Sequence, residues 1–396
     1  MRSSSKRVWT AAVAIVLLAL IAVALLARRS DVAAASATLT SERWGTTREG
    51  TPVTRYTMAS RSGVRVSFVN YGGIITDVST PDRRGRVAPV TLGFATLREY
   101  ETIGARNEYY FGGLLGRDTN WIKDGRFTLD GHPYQITLSD PPNTVHGGQR
   151  GFDKRVWRVE PLVTSGPTVS ARLTYTSPDG EEGFPGTVKA IVTYSLSRDG
   201  AFTIRYQATT DKPTIVNLSS HMSFNLAGAG SPDGVLRQVL TVDADRYLPL
   251  DRQQIPLGTI APVAGTPFDF HRATAIGARI HDHHPQLAMA DGYDQYWVLN
   301  KRPGVAGPQL AARVVDPGSG RTLQVSTTQP GTQIYTGGFF GGGTVGIGGR
   351  YVKYAAFTME TQGYPAAIDH PAFPSSVLRP GHSYDTTTVF RFGVAR

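Results

Sequence analysis

The chain has 396 residues, 44 glycines, 25 prolines, no cysteine and a formal net charge of +10. Without cysteine there is no disulfide, no thiolate metal ligand and no cysteine nucleophile. Half of the positive excess comes from Arg2, Lys6, Arg7, Arg28 and Arg29, ahead of any acidic residue, and the rest is spread without a basic run or nucleic-acid-binding motif, which argues against a nucleic-acid partner.

The first predicted element is a hydrophobic helix. Basic residues precede an apolar run from Val8 to Ala27, and Arg28-Arg29 close it. About twenty apolar residues suffice to span a bilayer, whereas a cleaved signal usually has an apolar region of about 7–15. Small residues at 33–37 offer Ala-x-Ala cleavage sites. Residues 1–37 are therefore expected to be a signal anchor or signal peptide plus linker, with 38–396 a single β-sandwich body outside the cytoplasm. That body is attached to the membrane through the N-terminal segment if the segment stays uncleaved.

From Tyr56 onward, stretches with period-two character follow one another: "VRVSFVNYGG", "RFTLDGHPYQITL", "VSARLTYTS", "TVKAIVTYSL", "AFTIRYQATT" and "YDTTTVFRFGVA". Asp-Gly, Pro-Asp and Arg-Asp-Gly turns bound them. "LSRDGAFTIRYQA" predicts a hairpin turning at Arg198-Asp199-Gly200. No helical pattern alternates with the strands and no fixed period recurs, so the fold class is all-β and neither a βαβ sheet nor a propeller. The glycine-rich stretch at 337–350 lacks the Gly-Lys-Ser/Thr ending of a phosphate loop and reads as a flexible surface loop.

Four polar clusters could carry chemistry. "GLLGRDTNWI" holds Arg117 and Asn120; "PPNTVHGG" holds His146, followed by glycines that would let the backbone approach a ligand. "NLSSHMSFNL" sets His221 among small polar residues, and "METQGYP" places Glu360 at the end of a strand-like run. Two histidines and a carboxylate make an acid–base set, because imidazole titrates near neutrality and a desolvated carboxylate can take a proton from a hydroxyl. The cluster His281, His283 and His284 sits beside Pro285 and reads as a solvated loop; no metal is expected. No Gly-x-Ser-x-Gly elbow is present. Asn217-Leu218-Ser219 matches a glycan-acceptor pattern, yet Asn217 is better placed inside the site.

Taken in order with "DGYDQYWVL" and "TTQPGTQIYTGGF", these motifs resemble the aldose 1-epimerase (galactose mutarotase) family, from "VNYGGIITDVSTPDRRG" at 69–85 to "FRFG" near the C-terminus. The resemblance implies a large antiparallel β-sandwich, the galactose mutarotase-like supersandwich, that holds a small-molecule aldose in an open groove. It implies an isomerase that interconverts the α and β anomers of a free aldose, with no cofactor. By the same resemblance Glu360 is the base, His221 the acid, and His146 polarises the region of the ring oxygen. Arg117, Asn120, Asp294 and His146 then hold the sugar. The chain departs from the family pattern at Trp121, Ser220, Ser223 and Ala366, which leaves the preferred aldose open. Two other readings are an epimerase of a modified sugar, such as a sugar phosphate, and a non-catalytic carbohydrate-binding sandwich using Trp121 or Trp297 for stacking.

Overall fold

The computed structural model describes residues 36–106 and 109–395, so the expected N-terminal helix lies outside the described residues. Three antiparallel sheets organise the rest, and their strands alternate as period-two sequences should. Val188–Ser197 turns every second side chain inward, and pairs in register with Ala201–Thr210 across the predicted turn, so that Leu196 faces Phe202. Gly200 adopts a φ of +85° there, open to glycine at little cost, and a Cβ on it would meet Ser62 Oγ at 2.6 Å.

These two strands sit inside a nine-stranded sheet that runs from Arg158–Val163 to Thr274–Ala275 and includes the C-terminal strand Tyr384–Val394. A six-stranded sheet built on Ala37–Thr46 and its hairpin partners packs against it. Phe68 from the smaller sheet meets Tyr194 from the larger edge-on, with ring centroids 5.0 Å apart. This shared apolar layer confirms the all-β, sandwich-type expectation. Among the described residues, no helix is long and apolar enough to cross a membrane.

A third sheet, also of six strands, carries the site. Its order is Ser223–Phe224, Phe357–Gln362, Gly331–Tyr335, Asp294–Val298, Arg246–Leu248, Ala261–Pro262. Here alternation disappears: every residue of Phe357–Gln362 is buried. Phe357 and Met359 face the core, while Glu360 projects to the other side, into the depth of a pocket. A strand covered on both faces loses the inside–outside pattern, and any polar residue it carries must find a partner or serve a ligand.

Candidate active site

The small polar residues around His221 are ties. Ser219–Ser220 pairs with Leu114–Leu115, the His221 N–H donates to Gly113 O at 3.0 Å, and the Gly112 N–H donates to His221 O at 2.9 Å. Ser219 Oγ donates to Thr361 O at 3.1 Å, and Ser223 Oγ meets Thr358 Oγ1 at 2.9 Å. His221 is thus clamped between two anchor points on the strand that carries Glu360. Its Nε2 comes within 3.3 Å of Glu360 Oε1. Asn217 is buried, and its Oδ1 accepts the Gly363 N–H at 2.8 Å, so it is packed at the edge of this arrangement and is closed to glycosylation.

His146 is held by Asn120 in both directions. The His146 N–H donates to Asn120 O, and the Asn120 N–H donates to His146 Nδ1, each at 3.1 Å. With Nδ1 accepting, the ring proton belongs on Nε2, which makes neutral His146 a donor into the pocket. The two following glycines serve a different end from the ligand approach read in the sequence. A Cβ on Gly147 would fall 1.9 Å from Gly116 O, so this close approach is to the protein's own backbone.

Glu360, His221, His146, Asn120 and Asp294 all line one pocket of about 440 Å³. Gln333 bridges its floor, donating from Nε2 to Asp294 Oδ1 at 2.8 Å. Burial pushes the Glu360 carboxyl well above the ordinary carboxylate range, helped by the Asp294 charge. Burial also lowers the His221 imidazole to about 4, and holds His146 well below its usual value with further push from His221 and Lys154. Asp294 is raised to about 7 by burial, against the hydrogen bond from Gln333. Several polar atoms are buried with no hydrogen-bond partner among the described residues: Glu360 Oε2, His221 Nδ1, Asn120 Nδ2 and Tyr110 Oη. Unpaired polar groups gathered around one pocket suit a hydroxyl-bearing ligand.

Arg117 is placed elsewhere. Its guanidinium points away from the pocket, with Nε on Ser177 Oγ, Nη1 on the carbonyls of Pro185 and Gly186, and Nη2 on those of Ser177 and Pro178. Every donor is used on the protein, which leaves none for the expected sugar contact. Arg117→Met should cost about 3 kcal/mol or more by orphaning these acceptors, visible in thermal unfolding, while the sugar KM of the folded protein stays within about twofold. Trp297 likewise drops out as a stacking ring: it is fully buried in the core and donates Nε1–H to Phe268 O. Trp121 does line the pocket, held by an Nε1–H bond to Asp140 Oδ2 at 3.2 Å.

The sequence reading missed Tyr110, whose ring packs edge-on against His146 at 4.6 Å and beside His221 at 5.7 Å. It also missed Gln333, Gln254 and the aromatic residues of the glycine-rich stretch, Phe339 and Phe340. That stretch is no loose surface loop at its start: a Cβ on Gly338 would lie 2.3 Å from Ala290 O. His284 also departs from the solvated-loop reading, since its Nδ1 caps the helix Pro285–Ala290 by accepting the Gln286 N–H.

Ligand atoms of His146, His221 and Glu360 lie within 4.8 Å of one another, a set that could hold a cation. The His146 tautomer opposes this, because an Nε2 that carries the proton donates and does not ligate. The arrangement suits proton transfer to a bound hydroxyl compound better.

Comparison with known proteins agrees with this geometry. The family profile described as aldose 1-epimerase matches residues 54–391. The galactose mutarotase of Sus scrofa is 43% identical over 333 residues, covering 84% of this chain and 92% of the relative. The aldose 1-epimerase of Escherichia coli K12 is 33% identical over 346 residues, covering 87% and 96%. A solved galactose 1-epimerase from Lactobacillus acidophilus NCFM superposes with a TM-score of 0.77 at 26% identity, covering 90% of this chain and 99% of that one. With the match running through nearly the whole described body and through every strand that builds the pocket, the chain belongs to the aldose 1-epimerase family and is an enzyme of the isomerase type.

Proposed function

We propose that the protein interconverts the α and β anomers of a free, unphosphorylated aldose, with Glu360 as base and His221 as acid. The observation that carries this is the buried His221–Glu360 pair at 3.3 Å, each partner with a further polar atom left unpaired. Between them the two groups share one proton. Burial favours the uncharged partition, carboxylic acid facing imidazole; moving the proton to Nε2 gives carboxylate and imidazolium at no change in net charge. In that partition Glu360 takes the proton from the anomeric O1–H, the C1–O1 bond becomes a carbonyl, and the C1–O5 bond breaks. O5 takes its proton from His221. Rotation about C1–C2 presents the other carbonyl face, and reversal of both transfers closes the ring. Neutral His146 donates from Nε2 to a sugar oxygen, and Asn120 Nδ2 and Asp294 hold hydroxyls.

The lining disfavours the sugar-phosphate reading. Among the described residues it includes no lysine or arginine, so a phosphate dianion would be desolvated there without a cationic partner. A purely binding role would leave a desolvated acid–base pair as a stability cost with no return. Trp121, where the family usually has arginine, gives the pocket a neutral wall. Trp121→Ala should raise the sugar KM roughly three- to tenfold through lost aromatic contact, with kcat little changed. Steady-state polarimetry reads both.

The direct test is polarimetry of freshly dissolved α-D-glucose, α-D-galactose and glucose 6-phosphate with the full-length protein. Acceleration of a free sugar but not the phosphate supports the proposal; acceleration of the phosphate alone sinks it. We also propose that the body works outside the cytoplasm, supported by the basic-flanked apolar run Val8 to Ala27. Resistance of the body to external protease in intact spheroplasts would refute that placement.

A further inference from the structure

A buried ion pair stands behind the two site histidines, and the mechanism above makes no use of it. Lys154 Nζ meets Asp153 Oδ2 at 2.6 Å, and both residues are buried. The pair sits on the short turn Phe152–Lys154, where a Cβ on Gly113 would lie 2.8 Å from Asp153 Cβ. The Gly113 carbonyl accepts the His221 N–H, so the pair packs on an anchor of the site. Asp153 Oδ1 has no hydrogen-bond partner among the described residues. A buried ion pair left partly unsatisfied costs desolvation and is weak support for a fold, so a use for its charge is the better account.

Tyr110 connects that charge to the site. Lys154 Nζ lies 4.8 Å from the centre of the Tyr110 ring, and the ring meets His146 at 4.6 Å and His221 at 5.7 Å between centroids. The Tyr110 hydroxyl has no partner among the described residues, so no side-chain hydrogen bond orients the ring and the cation over its face is its polar contact. These separations keep the ammonium within about 9 Å of the imidazole of His146, where a unit charge moves a neighbouring titration by about one pH unit. Besides Tyr110, the titratable groups around His146 are His221, with ring centroids 5.5 Å apart, Glu360, and the pocket carboxyls of Asp140 and Asp294. After burial, His221 and Lys154 push His146 below its usual value, and of these two Lys154 is the ammonium side chain.

We propose that Lys154 is a positioning residue for anomer interconversion, acting through the Tyr110 ring: the cation pins the ring against both imidazoles, and its charge keeps an extra proton off His146. That proton would occupy Nδ1, which accepts the Asn120 N–H at 3.1 Å, and would turn the hydrogen bond into a contact between two donors. His146 would lose the orientation that this bond gives it. A second cation beside His221 would also oppose formation of the imidazolium that delivers the O5 proton. This rests on the reading of Glu360 and His221 as base and acid.

The test is steady-state polarimetry against pH with the full-length protein, on whichever of α-D-glucose and α-D-galactose it turns over faster. In the double variant Asp153→Asn with Lys154→Met, kcat should fall about tenfold with KM within about twofold of native, the loss that one desolvated cation–π contact accounts for. The acid limb of kcat/KM should also move up by about one pH unit. Uncharged residues of like size often replace a buried ion pair without loss of stability. If that variant does not fold, Lys154→Gln, which still donates to Asp153, carries the same two expectations. Lys154→Arg keeps a charge over the ring and should hold kcat within about threefold of native, with the acid limb in its native place. Native kcat with an unmoved acid limb in the uncharged variants overturns the proposal. So does a loss of kcat with an unmoved limb, which assigns the pair to packing alone. No acceleration of either sugar by the native protein overturns the anomer-interconversion reading itself, a separate result.

Discussion

Glu360→Gln lowers kcat by about 10²–10⁴-fold and leaves sugar binding within a few-fold of native. The amide keeps the shape of the carboxylate and cannot take the O1–H proton. The same substitution should not destabilise the protein at neutral pH. Burial raises the Glu360 carboxyl, so the favourable contribution of this group is present below the ordinary carboxylate value and is lost as pH rises toward its folded value. The glutamine variant escapes that loss, and its thermal midpoint should gain on the native protein steadily from about pH 4.5 upward. Turnover near native in the variant would remove Glu360 from the role of base. A variant that unfolds would show instead that the pair supports the fold.

His221 sets the second large effect, on the pH profile. The proton it shares with Glu360 must be present once. Burial depresses the imidazole to about 4, so as pH falls through that value a second proton joins, and the pair becomes carboxylic acid and imidazolium, with an acid and no base. As pH rises past the elevated Glu360 value the shared proton leaves, with a base and no acid. The profile of kcat/KM is therefore a broad plateau across neutrality with an acid limb near pH 4. An acid limb near 6.5, the ordinary histidine value, would mean that His221 is solvated in the working enzyme. His221→Ala should cost about 10²–10⁴ in kcat, since the O5 proton then has to come from water.

Much of the outer architecture is legible in the chain. Val188–Ser197 and Ala201–Thr210 alternate because one face of each meets the core and the other does not. The site sheet has no such signal, being covered on both faces, and its strands are recognisable only through the motifs that run along them. Residue type alone made His146, His221 and Glu360 weak candidates, and their roles came from the likeness of the ordered motifs to a known family. It could not separate Arg117, whose fork is spent on carbonyls from residues 177–186, from a sugar-binding arginine in the same motif. Nor could it distinguish the core indole of Trp297 from the pocket indole of Trp121.

What the sequence by itself determined is the all-β class, the hairpin at Arg198-Asp199-Gly200 and a set of candidate acid–base groups, because strand periodicity and side-chain chemistry are local properties. The tertiary structure alone decided that His221 and Glu360 lie within contact, that both are buried, and that Tyr110, Gln254 and Phe339 line the same pocket. Those outcomes depend on which distant strands close over a side chain, and the free energy of a buried charge is set by that enclosure and by no residue's type.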